Sequence, residues 1–121
     1  MRITKEAIEE LYPNTAYVIK NDSVLEILDD TVVSYEDIVQ KVAELDYQEE
    51  VKEYQKQRVA EYPPYADQFD KIFHSGVNAW KTQIRAIKDK YPKQTMDPDV
   101  LAERKRQALE DLEASRSSEE S

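Results

Sequence analysis

The spacing of apolar residues changes twice along this chain, and each change marks an element. Ala7, Ile8 and Leu11 stand at helical spacing behind Thr4, whose hydroxyl suits an N-cap, with Glu6 near the positive end of the helix dipole. Pro13 and Asn14 stop that helix. Residues 15–19 (TAYVI) and 24–28 (VLEIL) are rich in β-branched and large apolar side chains. They flank the turn-forming Asn21-Asp22-Ser23, and the pattern predicts a β-hairpin ended by Asp29-Asp30. Two strands alone are marginal in water, so the hairpin must lean on a helix or on another chain.

After Ser34 the period becomes helical. Ser34 with Asp37 resembles a capping box, Asp standing where Glu or Gln is usual. Ile38, Val42 and Leu45, then Val51, Tyr54, Arg58, Val59 and Tyr62, keep helical spacing to about residue 61. Asp46 with Glu49 offers an internal cap, so the stretch reads either as one helix or as two. Pro63-Pro64 ends it, because neither proline donates a hydrogen bond and both clash with continued helix. A helix over 65–74 follows, then a break at Ser75-Gly76, then a helix over about 77–91 closed by Pro92. Asp97 as N-cap and Pro98 at the first helical position start a last helix to about Ala114, with Leu101, Ala108, Leu109 and Leu112 as weak apolar contacts. Residues 115–121 (SRSSEES) are polar and are expected to be mobile unless a partner orders them.

The predicted fold class is therefore mainly α with a small β component. A small N-terminal helix and β-hairpin (1–33) lead into a helical core (34–93) made of a long helix and a helical hairpin. An acidic helical tail (94–121) ends the chain.

The apolar content is most concentrated in 62–92, which holds the only Trp, both Phe, the only His and the only Gly. Phe69, Ile72, Phe73, Val77, Trp80, Ile84, Ile87 and Tyr91 recur at helical spacing, in steps of three and four apart from the adjacent Ile72 and Phe73. That spacing predicts a hairpin in which Phe69, Ile72 and Phe73 pack against Trp80, Ile84 and Ile87. Gly76 permits the reversal, and Asp67 satisfies backbone donors after the Pro63-Pro64 corner. Burying one such side chain is worth about 1.5–3 kcal/mol, so this segment is expected to carry much of the folding free energy.

Charge narrows the function. Of 121 residues, 26 are acidic and 17 basic, a formal net charge of -9. A chain this acidic is repelled by phosphate backbones, which argues against nucleic acid as a partner. Lys81, Arg85, Lys88, Lys90 and Lys93 form a basic strip between Trp80 and Tyr91. It reads as the wet face of a helix, or as a patch that meets an acidic face such as 44–53 of this chain or of a second copy. The first residues lack the apolar core of a secretory signal, and no apolar run nears the ~20 residues that cross a bilayer. Membrane partners are not expected, and a cytoplasmic location is.

No catalytic set emerges. There is no Cys, and the single His74 has only Ser75 beside it, which a helix turns to another face. With one His and no thiolate, no metal site is expected. With one Gly, no phosphate-cradling loop is present, and no cofactor is expected. The acidic pairs Glu9-Glu10, Asp29-Asp30, Glu49-Glu50 and Glu119-Glu120 lack calcium-loop spacing and read as surface acid. Tyrosines gather near the proline corners, and Tyr buries area while keeping a polar tip, which suits interfaces. Tyr54, Tyr62 and Tyr65, with His74, Lys81, Arg85 and Lys88, are therefore the candidate interface residues. Pro63, Pro64, Asp67, Phe69, Phe73, Gly76, Trp80, Ile84, Ile87 and Tyr91 are the residues expected to define the fold.

The string EYPPYADQFDKIFHSGVNAWKTQIRAIKDKYPK resembles a module of small proteins from tailed bacteriophages, described as tail assembly chaperones or tail-fibre-associated proteins. The matching positions are Tyr62, Pro63, Asp67, Gln68, Phe69, Asp70, His74, Trp80, Ile84, Ile87, Lys88, Lys90, Tyr91 and Pro92, and the string that spans them covers about a quarter of the chain. The resemblance implies a non-enzymatic protein that binds a phage tail or tail-fibre component, in the host cytoplasm during assembly or in the virion tail. A permanent adaptor subunit of the virion is the alternative, its last helix zipping onto neighbours. The net charge alone suggests a third reading, an acidic inhibitor of a host nucleic-acid-binding protein.

Overall fold

Helices and one β-hairpin follow the predicted order in the computed structural model, which describes residues 1–120. The elements are α1 (Lys5–Leu11), β1 (Tyr17–Lys20), β2 (Val24–Ile27), α2 (Tyr35–Val51), α3 (Glu53–Glu61), α4 (Tyr65–Ser75), α5 (Val77–Lys90) and α6 (Pro98–Glu120). The caps are those the sequence supplies. Thr4 Oγ1 accepts from Ala7 N–H at 3.3 Å, Ser34 Oγ from Asp37 N–H at 3.2 Å, and Asp97 Oδ1 from Asp99 N–H at 2.8 Å. The stretch after Ser34 is two helices, and the break falls at Lys52 rather than Asp46.

The chain divides into two compact units, 1–49 with 96–121 and 50–95, instead of three consecutive segments. In the first, β1 and β2 pair antiparallel, with Ile19 opposite Leu25 and Tyr17 opposite Ile27. Asn21 and Asp22 take φ values of 54° and 58°, the left-handed region that Asn and Asp tolerate in tight hairpin turns. The hairpin leans on helices, as two strands must. Ile3, Ala7, Ile8, Leu25, Ile38 and Val42 form one buried cluster, flanked by Leu11, Ile19, Val33 and Leu45.

α6 belongs to this unit. Its Leu112 is 2% exposed. The Asp97 N–H donates to Tyr47 Oη at 2.9 Å, the Arg104 guanidinium lies 5.0 Å over the Tyr47 ring, and Arg116 bonds Glu36 at 2.7 Å. The start of α6 thus meets the end of α2, and the end of α6 meets the start of α2: the two helices run antiparallel. The helix continues to Glu120, past the end near Ala114 that the sequence suggests. Ser121, part of the stretch expected to be mobile, lies outside the described residues.

The second unit corrects the main energetic expectation. No residue of α4 or α5 is buried. Phe69 and Phe73 are 67% and 84% exposed, so they do not pack inside a hairpin against Trp80, Ile84 and Ile87. Three short helices lack a covering layer, and an amphipathic helix buries only the side that a neighbour covers. The well-buried core lies in the first unit.

Candidate protein-docking face

The second unit is closed at three points. Arg58 donates from Nε to the Tyr91 carbonyl at 2.8 Å and from Nη2 to the Lys88 carbonyl at 3.3 Å. A cation thereby caps the negative end of α5. Glu61 takes the Lys90 ammonium and the Tyr91 hydroxyl, each at 2.6 Å. Those two donors hold the Glu61 carboxyl below its ordinary range, Lys90 contributing most. The third point is Gln68, whose amide donates to the Pro63 carbonyl at 2.7 Å while its oxygen accepts the Trp80 indole N–H at 3.1 Å. Gln68, not Asp67, therefore closes the proline corner. Asp67 is exposed in the first turn of α4, and Pro64, at the N-cap, offers no side-chain bond.

The chain reverses at Gly76, whose φ of 86° and ψ of 165° lie in a region essentially restricted to glycine. Nothing lies within 4 Å of where a Cβ would stand, so the requirement is conformational and not spatial. Glu61, just before α4, reaches the far end of α5, so α4 and α5 run antiparallel.

Within α4 only Gln68 and Ile72 are half-buried. Tyr65, Phe69 and Phe73, one turn apart, form an exposed aromatic row at 79%, 67% and 84% exposure. His74 is exposed at the row's end, its ring edge-on to Phe73 with centroids 5.0 Å apart. On α5, Trp80, Ile84 and Ile87 are half-buried, while Lys81, Arg85 and Lys88 are exposed. The three cations line an open groove of about 240 Å³ with Trp80 and Ile84.

The candidate interface residues therefore divide. Tyr65, His74, Lys81, Arg85 and Lys88 are on the surface, and Tyr62 is half-buried at the end of α3. Tyr54 is 7% exposed, lies under the Arg58 guanidinium at 4.9 Å, and accepts from Gln55 at 3.2 Å. It is a packing residue and offers nothing to a partner. Tyr91, half-buried, serves the α3–α5 closure. Phe69 and Phe73, assigned to the interior by their spacing, join the surface set. The signal for this was present: Tyr65, Phe69 and Phe73 repeat every four residues, one position away from Gln68 and Ile72.

Among the described residues, no group of three or more His, Asp or Glu is placed to hold a metal ion, and no helix is long and apolar enough to cross a membrane. Comparison with protein-family models, curated proteins and solved structures gives no match to this chain.

Proposed function

We propose that this chain is a non-enzymatic assembly protein of a tailed phage that binds a tail or tail-fibre component through the aromatic row of α4. The observation that carries the reading is the exposure of Tyr65, Phe69 and Phe73 along one side of one helix. Each such ring offers roughly 150–250 Å² for burial, and contiguous apolar patches of a few hundred Å² mark protein-interaction sites. Leaving that area in water has no folding benefit, whereas covering it drives association. The resemblance of 62–92 to the phage tail module supplies the partner class. Acting in the host cytoplasm, the protein shields a partner surface until the tail is built.

The test is co-expression with the tail and fibre proteins of the same genome, followed by capture. The intact chain is expected to retain one of them, and a Phe69→Ser, Phe73→Ser variant of unchanged thermal stability is expected to lose it. Capture of none by the intact chain contradicts the reading. Mass spectrometry of purified particles separates an assembly factor, absent from the particle, from a permanent subunit present in stoichiometric amount.

A further inference from the structure

We infer that the second unit receives an acidic amphipathic helix of its partner, gripping it between the α4 aromatics and the α5 cations. The inference rests on the docking role proposed above and adds the chemistry of the segment that docks.

Helical geometry places the two rows together. Each residue advances a helix by roughly 100°. On α4, Phe69 and Phe73 directly follow Gln68 and Ile72, the half-buried residues. On α5, where Ala79, Trp80, Gln83, Ile84 and Ile87 are half-buried, Lys81, Arg85 and Lys88 directly follow Trp80, Ile84 and Ile87. Each exposed row is thus one step round from the interhelical contact. In an antiparallel pair, a forward step on either helix turns toward the same side. The aromatic row and the basic row therefore share one face, with the Trp80–Ile84 groove beside the cations.

Charge selects the occupant. Residues 50–95 carry nine basic and six acidic side chains, net +3, while the remainder carries eight basic and twenty acidic, net −12. The one basic region of an acidic protein sits on its aromatic unit. Among the described residues, Lys81, Arg85 and Lys88 form no ion pair, so no internal acid neutralises them. A helix laid along this face needs apolar residues at steps of three and four for the rings and Glu or Asp on the flank toward α5. The net charge of -9 disfavours a polyanionic nucleic acid, whose charge the first unit repels.

Trp80, the only tryptophan, lines the groove and reports occupancy. The experiment titrates the full chain with a synthetic amphipathic helix carrying Leu at steps of three and four and Glu on its flanks. A matched peptide with Lys in place of Glu is the control. The Glu peptide is expected to shift Trp80 emission saturably and to bind more weakly as salt rises. Reversing Lys81, Arg85 and Lys88 to Glu is expected to weaken it at least about tenfold, and the milder Gln replacements less, with unchanged circular dichroism. Equal binding of the Lys peptide, or no loss on charge reversal, overturns the inference. So does preferential binding of a single-stranded oligonucleotide, or a concentration-dependent dimer that the same reversal abolishes. If the charge-reversed chain still captures its tail component while the Phe69→Ser, Phe73→Ser chain does not, the inference falls and the docking role stands.

Discussion

The Trp80 indole N–H and the Gln68 side-chain oxygen meet at 3.1 Å, and the same Gln68 reaches back to the Pro63 carbonyl at 2.7 Å. One amide thus fixes α4 against α5 and against the proline corner. The α4–α5 contact includes a polar clasp, and this is why the aromatic rings of α4 can stay outside. Replacing Gln68 by Ala leaves a half-buried indole donor and a backbone carbonyl unpaired. The expected cost is about 1–3 kcal/mol in urea unfolding followed by Trp80 fluorescence. Trp80→Phe, which keeps an aromatic ring but loses the N–H and part of the indole's bulk, is expected to cost at least about 0.5–1.5 kcal/mol, read by circular dichroism because Trp80 is the only tryptophan.

Core and face predict opposite responses to truncation. Ile8→Ala, Ile38→Ala and Leu112→Ala remove side chains that are at most 2% exposed and are expected to cost about 2–5 kcal/mol each. Phe69→Ala and Phe73→Ala remove larger side chains from the surface and are expected to change stability by no more than about 0.5 kcal/mol. Thermal melts of the five variants check this. A large loss at Phe73 would place its ring in a core.

Gly76 sets the reversal through its backbone alone. Gly76→Ala meets no neighbour within 4 Å, yet it forces a Cβ onto φ 86°. Strain of this kind costs about 1–3 kcal/mol, and urea unfolding of the alanine variant measures it.

Much of this fold is legible in the sequence because it is written in local signals. Thr4, Ser34 with Asp37, and Asp97 with Pro98 cap the helices they announce. Pro63-Pro64 and Gly76 break the chain where neither helix nor ordinary backbone can continue. What periodicity does not carry is which side of a helix finds a cover. Phe69 and Ile72 belong to one amphipathic pattern, but Ile72 is half-buried while Phe69 is left to solvent. Leu112 is buried in a unit that includes residues more than seventy positions earlier, a pairing that no local pattern encodes. The candidate site was half legible for the same reason. Tyr65, His74, Lys81, Arg85 and Lys88 are exposed, whereas Tyr54 is taken up by packing under Arg58.

The acid pairs give a pH dependence of definite sign. Lys90 and Tyr91 hold the Glu61 carboxyl below 4.5, and Arg116 does the same to Glu36. A folded pKa below the unfolded one contributes stability above the unfolded value, and that stability is lost as pH falls through the folded value. The urea midpoint is therefore expected to be flat near neutrality and to drop as pH falls below about 4.5, with a shallower drop in Glu61→Gln and Glu36→Gln. Chemical unfolding at a series of pH values measures it.

The docking face is tested most directly by a photo-crosslinking amino acid placed at Phe73 in phage-producing cells, with the same substitution at exposed Val59 as control. The account predicts an adduct with a tail or tail-fibre protein from position 73 and none from position 59. No adduct at 73, or the same adduct from both positions, would contradict it.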